Sequence, residues 1–114
     1  MIKIYHNPRC KKSREGLAIL ENSGKPFEVI GYLDGSLSKK ELKQIIEYLE
    51  IKPIQLIRKN ESVWKENYKD KALTDNEVVA AMILHPKLIE RPIVVHNNKA
   101  VIGRPAARIK SLIA

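Results

Sequence analysis

The period of the hydrophobic positions changes several times along the chain, and each change marks an element. Ile2-Lys3-Ile4-Tyr5 alternates apolar and polar with β-branched and aromatic residues, which predicts a short strand. Asn7-Pro8 marks a turn. Residues 11–22 favour a helix with Leu17 and Leu20 inward, ended by Ser23-Gly24. Residues 26–32, carrying Phe27, Val29 and Ile30, predict a second strand. A strand–helix–strand unit of this kind normally joins two parallel strands by a right-handed crossover.

The middle of the chain is helical in pattern. Ser38-Lys-Lys-Glu41 reads as a capping box, and Leu42, Ile45, Ile46 and Leu49 follow at helical spacing. Residues 53–58 predict a short helical turn, and the polar stretch 61–71 a helix around Trp64. Thr74-Asp-Asn-Glu77 is a second capping box. It opens a helix with Val78, Val79, Met82 and Ile83 inward, ended by His85-Pro86. Pro92-Ile-Val-Val-His96 then predicts a strand, Asn97-Asn98 a turn suited to positive φ, and residues 99–102 the returning strand of a hairpin. Gly103-Arg-Pro105 breaks it, and residues 106–113 close the chain as a helix with Ile109, Leu112 and Ile113 inward. The order is β-α-β, then helices, then β-β-α. It predicts an α/β fold: a four-stranded mixed sheet with flanking helices. The expectation is one domain over 1–114, with a helical insertion at about 38–90 as a side lobe.

Composition narrows the class. The chain has 114 residues, 44% hydrophobic and 30% charged, as expected of one soluble domain. No apolar run approaches the roughly 20 residues of a membrane span, and the first residues enter a strand without an apolar leader. A cytoplasmic protein with no membrane partner is therefore expected. The net charge of +8 comes from 15 Lys and six Arg against 13 acidic residues. The lysines are scattered, aromatic residues are few, and no nucleic-acid motif appears. The charge therefore reads as a soluble surface with a local anion site, and no nucleic-acid partner is expected.

The single cysteine carries the sharpest chemistry. It excludes an internal disulfide. With only His6, His85 and His96 to join it, at no metal-ligand spacing, no metal site is expected. Cys10 stands between a strand end and a helix start, where unsatisfied N–H groups and the positive end of the helix dipole favour a thiolate. Arg9, Lys11, Lys12 and Arg14 surround it. Cations in a first helical turn cost about 0.3–1 kcal/mol each when exposed, and an anion bound there resolves the conflict. Ser13 occupies the position of the second thiol in a Cys-x-x-Cys motif, so turnover through a disulfide needs an external thiol. A cysteine-phosphatase loop requires Arg six positions after the nucleophile, where this chain has Gly16. Arg58, Arg91 and Arg104 stand out by context, because converging guanidiniums hold oxyanions through a donor fork.

These motifs form a set. Ile4-Tyr-His-Asn-Pro-Arg-Cys-Lys-Lys-Ser-Arg14, Leu56-Ile-Arg-Lys-Asn60, His85-Pro86, Arg91-Pro-Ile-Val-Val95 and Gly103-Arg-Pro105 resemble the glutaredoxin-coupled arsenate reductase (ArsC) family in order and approximate spacing. The resemblance covers nearly the whole chain and implies a thioredoxin-like fold with a helical insertion. It assigns the nucleophile to Cys10 and oxyanion binding to Arg58, Arg91 and Arg104. It also assigns supporting roles to His6, Ser13, Arg14 and Pro92, with Pro92 in the cis form that opens the third strand of thioredoxin-like folds. It implies reduction of arsenate to arsenite with glutathione as co-substrate, glutaredoxin as partner, no bound cofactor and a monomeric protein. The Spx-type regulators, which bind RNA polymerase, share the fold and the Arg-Pro-Ile segment. They typically carry the Cys-x-x-Cys switch that Ser13 interrupts here. A related thiol oxidoreductase acting on another substrate is the other alternative. Lys11 departs from the small residue that often follows the nucleophile in these relatives.

Overall fold

The computed structural model describes residues Met1–Ala114, which divide into two compact units: Met1–Tyr32 with Arg91–Ala114, and Leu33–Glu90.

The first unit is built on a four-stranded sheet. Strands β1 (Ile2–His6), β2 (Phe27–Gly31), β3 (Ile93–His96) and β4 (Lys99–Ile102) lie in the order β2-β1-β3-β4. β1 and β2 run parallel, with Ile2 opposite Phe27 and His6 opposite Gly31. β3 is antiparallel to both β1 and β4, so the sheet is mixed, in the thioredoxin-like arrangement that the resemblance implies. Asn97 and Asn98 both take positive φ and turn the β3–β4 hairpin, a conformation that Asn tolerates better than most residues.

Helix α1 (Lys11–Ser23) supplies the crossover from β1 to β2 and ends at Gly24, whose φ of 72° is left-handed. With α5 (Ala107–Ile113) it packs on the sheet. Ile2, Ile4, Leu20, Val94, Ile109 and Ile113 form the core, and Leu17, Phe27 and Val101 pack around it half-buried. Burying one such aliphatic side chain contributes about 1.5–3 kcal/mol, which is what fixes the register of this sheet. Pro26 and Pro92 both fall just before their strands.

The second unit holds α2 (Lys39–Leu49), α3 (Ser62–Asn67) and α4 (Asp75–Leu84), with 3₁₀ turns at Pro53–Leu56 and Pro86–Leu88. Ser38 Oγ accepts the Glu41 N–H at 3.1 Å at the start of α2. The Thr74–Glu77 capping box closes in both directions, at 3.2 and 2.9 Å. In α2, Leu42, Ile45 and Ile46 are buried. In α4 the buried set is Val78, Val79, Ala81 and Met82. Ile83, expected inward, is only half-buried, and the small Ala81 takes the buried position. Trp64 stacks on Tyr68 with ring centroids 5.5 Å apart, and Tyr68 meets the edge of His85. An isolated antiparallel bridge between Ile57 and Ile89 ties the segments on either side of α3 and α4 together.

Candidate active site around Cys10

The loop between β1 and α1 is fixed by its own polar groups. Asn7 Oδ1 accepts the Arg9 N–H at 3.0 Å, and the Asn7 carbonyl accepts the Cys10 N–H at 3.0 Å. The Asn7 N–H donates to Ser13 Oγ at 2.9 Å, and the same oxygen lies 2.7 Å from His6 Nδ1. Ser13 is fully buried, and His6 and Asn7 nearly so. One hydroxyl thus satisfies two buried polar groups, which leaves this turn little freedom. Arg14 Nη1 donates back to the Pro8 carbonyl at 2.9 Å, and the Arg14 N–H closes the first helical bond to the Cys10 carbonyl at 3.0 Å.

Cys10 is therefore the N-cap of α1, with extended φ and ψ of −95° and 123°. Its sulfur makes no closed cap bond of the usual kind, and the first turn holds no acidic residue. The thiol is partly exposed. Burial pushes its pKa up, but the N–H of Ser13, the Arg91 guanidinium and the N–H of Lys12 together outweigh burial. The pKa lies below the ordinary thiol range. Arg104 Nη2 approaches Sγ at 3.4 Å, and its Nε donates to the Arg91 carbonyl at 2.8 Å. Arg91 and Arg104 are therefore brought to one sulfur, with Arg91 largely buried. Burial holds the His6 pKa below its usual range, against the hydrogen bond to Ser13, and the charge of Arg14 lowers it further. A neutral imidazole results at neutral pH.

Arg58 belongs to the helical unit. Its backbone N–H donates to the Leu88 carbonyl at 2.7 Å beside the Ile57–Ile89 bridge. Its guanidinium lies between two carboxylates, with Nε 3.5 Å from Glu61 and Nη1 3.4 Å from Glu90. Neither Glu61 nor Glu90 was singled out by sequence. Their partially exposed ion pairs orient Arg58 and contribute modest stability.

Pro92 follows a cis peptide bond from Arg91, as expected, and Arg104-Pro105 is also cis, which the sequence did not suggest. Two further residues escaped sequence reasoning. A Cβ on Gly16 would lie 2.8 Å from Pro92 Cγ and 2.9 Å from Ile109 Cδ1. A Cβ on Gly103 would meet the same two atoms, at 2.9 and 2.8 Å. These glycines let α1 and the residue after β4 pack closely against the Pro92 ring. The available signal was a glycine inside a helix, which is costly and commonly has a packing reason.

The family model described as "ArsC family" matches residues 5–112. The chain belongs to the ArsC family. Several full-length relatives make the membership concrete. The "Uncharacterized protein YfgD" of Escherichia coli K12 is 41% identical, over 98% of this chain and 96% of that protein. A protein of Neisseria meningitidis serogroup A named arsenate reductase is also 41% identical, over 98% and 97%. The solved structure of an arsenate reductase from Vibrio cholerae superposes with a TM-score of 0.91 at 47% identity, over 97% of this chain and 96% of that one. The ArsC match spans Cys10, Arg58, Arg91 and Arg104. No group of three or more His, Cys, Asp or Glu side chains is placed to hold a metal ion. No helix is long and apolar enough to cross a membrane.

Proposed function

We propose that this ArsC-family chain is an arsenate reductase that converts arsenate to arsenite, with Cys10 as the nucleophile. The observation that carries the reading is the partly exposed Cys10 sulfur at a helix N-terminus, with the Arg91 and Arg104 guanidiniums on it. A thiolate and a doubly charged oxyanion repel each other. Two fixed guanidiniums and the helix N-terminus offset that repulsion and hold the oxyanion oxygens as charge develops. Arg58 is the third oxyanion-binding residue in this reading. The loop ordered by His6, Ser13 and Arg14 positions the sulfur, and Pro92 sets the backbone that follows Arg91.

In the proposed sequence the Cys10 thiolate attacks arsenic, and one arsenate oxygen leaves as water. A glutathione thiolate bonds to the arsenic, and a second oxygen leaves as water. The glutaredoxin thiolate then attacks the glutathione sulfur, forming a glutathione–glutaredoxin disulfide. The electron pair of the broken S–As bond stays on arsenic, which becomes As(III). Water hydrolyses the Cys10–arsenic bond, releasing arsenite and the free thiol. Two thiols are oxidised to one disulfide, which balances the two-electron reduction. In this reading the reaction takes place in the reducing cytoplasm, and the protein acts as a monomer with glutathione as co-substrate and no bound cofactor. Ser13 supports an external reductant over an internal switch, because its hydroxyl is engaged by His6 and Asn7.

The test is arsenate-dependent NADPH oxidation coupled through glutathione, glutathione reductase and glutaredoxin, comparing wild type with Cys10→Ser. Activity is expected in the wild type and absent in the variant. Turnover retained by Cys10→Ser, or none in a wild type whose thiol is titrated as reduced, would overturn the reading. The second result would point to another thiol substrate.

A further inference from the structure

The helical unit carries an open cleft of about 560 Å³, within the size range of small-molecule sites. Lys52, Lys59, Lys65, Lys69 and Lys71 line it, and Asp75 is the one carboxylate among the lining residues. None of these five ammonium groups forms an ion pair. The stretch from Trp64 to Lys71 sorts its charges. Lys65, Lys69 and Lys71 line the cleft, whereas Glu66 and Asp70, exposed in the same stretch, do not. Five like charges around one concavity repel each other, and a multivalent anion relieves that repulsion.

The remaining lining is apolar: Ile54 and Leu73, half-buried, with the buried Trp64 and Val78. A simple inorganic anion gains nothing from such a surface, but an organic body does. All the cations are lysines. Their ammonium groups are mobile point charges that follow a flexible phosphate chain, without the planar fork by which Arg selects a carboxylate. We propose that this cleft binds a small organic polyphosphate of the nucleotide type, its phosphates on the lysines and its body on the apolar lining. The assignment is independent of the chemistry at Cys10.

Trp64, the only tryptophan of the chain, lines the cleft and reports on occupancy by its fluorescence. The full chain is titrated with inorganic triphosphate by fluorescence and with ATP by calorimetry, both without divalent cations. One site is expected, tighter for ATP than for triphosphate and weakened by salt. The triple variant Lys65→Gln/Lys69→Gln/Lys71→Gln is expected to lose about tenfold in ATP affinity, from three exposed charge interactions. Lys39→Gln/Lys40→Gln/Lys43→Gln removes the same charge from exposed positions of α2 outside the lining and is expected to bind as the wild type does. Equal losses in the two variants would reduce the effect to net charge and overturn the site. Equal affinity for triphosphate and ATP would overturn the role of the apolar lining. Binding of a Glu-rich peptide but not of ATP would replace the small-molecule site with a docking surface for an acidic protein. The activity assay is run on the same preparations, so failure of the Cys10 reading and failure of this one are seen separately.

Discussion

Gly16→Ala sets two opposing effects against each other, and the structure decides between them. An alanine inside a helix is favoured over glycine by about 1 kcal/mol. At position 16 the new methyl would lie 2.8 Å from Pro92 Cγ and 2.9 Å from Ile109 Cδ1. A flexible side chain could withdraw at little cost, but these atoms have nowhere to go. The proline ring is stiff, Ile109 is fully buried, and Gly103 sits against the same two atoms. Overpacking of this kind costs about 1–3 kcal/mol, so Gly16→Ala comes out destabilised by about 0–2 kcal/mol despite its better helix propensity. Gly103→Ala has no helix term to offset the clash and loses the full amount, about 1–3 kcal/mol. The double variant loses more than the two single losses combined, because each methyl blocks the other's relaxation. Urea unfolding with unchanged m-values measures all three differences. A Gly16→Ala protein that is more stable than wild type by the whole helix term would refute the reasoning, since the Pro92 ring would then have room to move.

The alkylation rate of Cys10 by iodoacetamide is expected to rise with pH and to level off below the ordinary thiol range, because only the thiolate reacts. Arg91→Ala moves that midpoint upward by removing a hydrogen bond and a charge from the sulfur; an unmoved midpoint would assign the low pKa to the backbone N–H groups of the helix N-terminus and to Arg104. Ser13→Ala leaves the buried Asn7 N–H and His6 Nδ1 without the oxygen they share, at a cost of about 1–3 kcal/mol in denaturant unfolding. His6 has a depressed pKa in the folded protein, so the unfolded chain takes up the proton first as pH falls. Stability contributed by neutral His6 is complete above about 6.5, the ordinary histidine value, and declines as pH drops below it. A His6→Asn variant should lose that slope in denaturation midpoints measured between neutral and mildly acidic pH, and an unchanged slope would assign it to the carboxylates.

Sequence reasoning reached most of the sheet unit because its signals are local. Ile2 and Ile4 alternate with Lys3, Gly24 stops α1 in a left-handed conformation, and Asn97-Asn98 turns the hairpin. The Ser38 and Thr74 caps were legible for the same reason, since donor and acceptor are three residues apart. What stayed hidden depends on chain returns that no local pattern records. Glu90 meets Arg58 only because Ile57 and Ile89, 32 positions apart in sequence, form a bridge. Gly16 and Gly103 matter only because Pro92 and Ile109 arrive against both of them. At the candidate site, the position of Cys10 at a helix start was readable from the chain. The approach of Arg91 and Arg104 to its sulfur was not: their shared Arg-Pro context and the family resemblance marked them, but no local pattern shows convergence. Ile83 is only half-buried because the buried face of α4 is centred on Val78, Ala81 and Met82, a rotation that the stripe of large apolar residues does not record.

The engagement of Ser13 bears on how such a protein can change over evolutionary time. A serine-to-cysteine substitution at position 13 would create the spacing of a dithiol redox motif. The oxygen it removes is fully enclosed and held at 2.7 and 2.9 Å by two buried neighbours. Sulfur is larger, forms longer and weaker contacts and serves poorly as an acceptor for a backbone N–H. The new thiol would arrive in a cavity shaped for a hydroxyl, with the turn that presents Cys10 loosened. A second thiol at position 13 therefore needs accompanying change at His6, since the other donor is the Asn7 backbone N–H, which side-chain substitution does not remove. In the proposed reaction, that barrier favours a second thiol drawn from solution over one added at position 13.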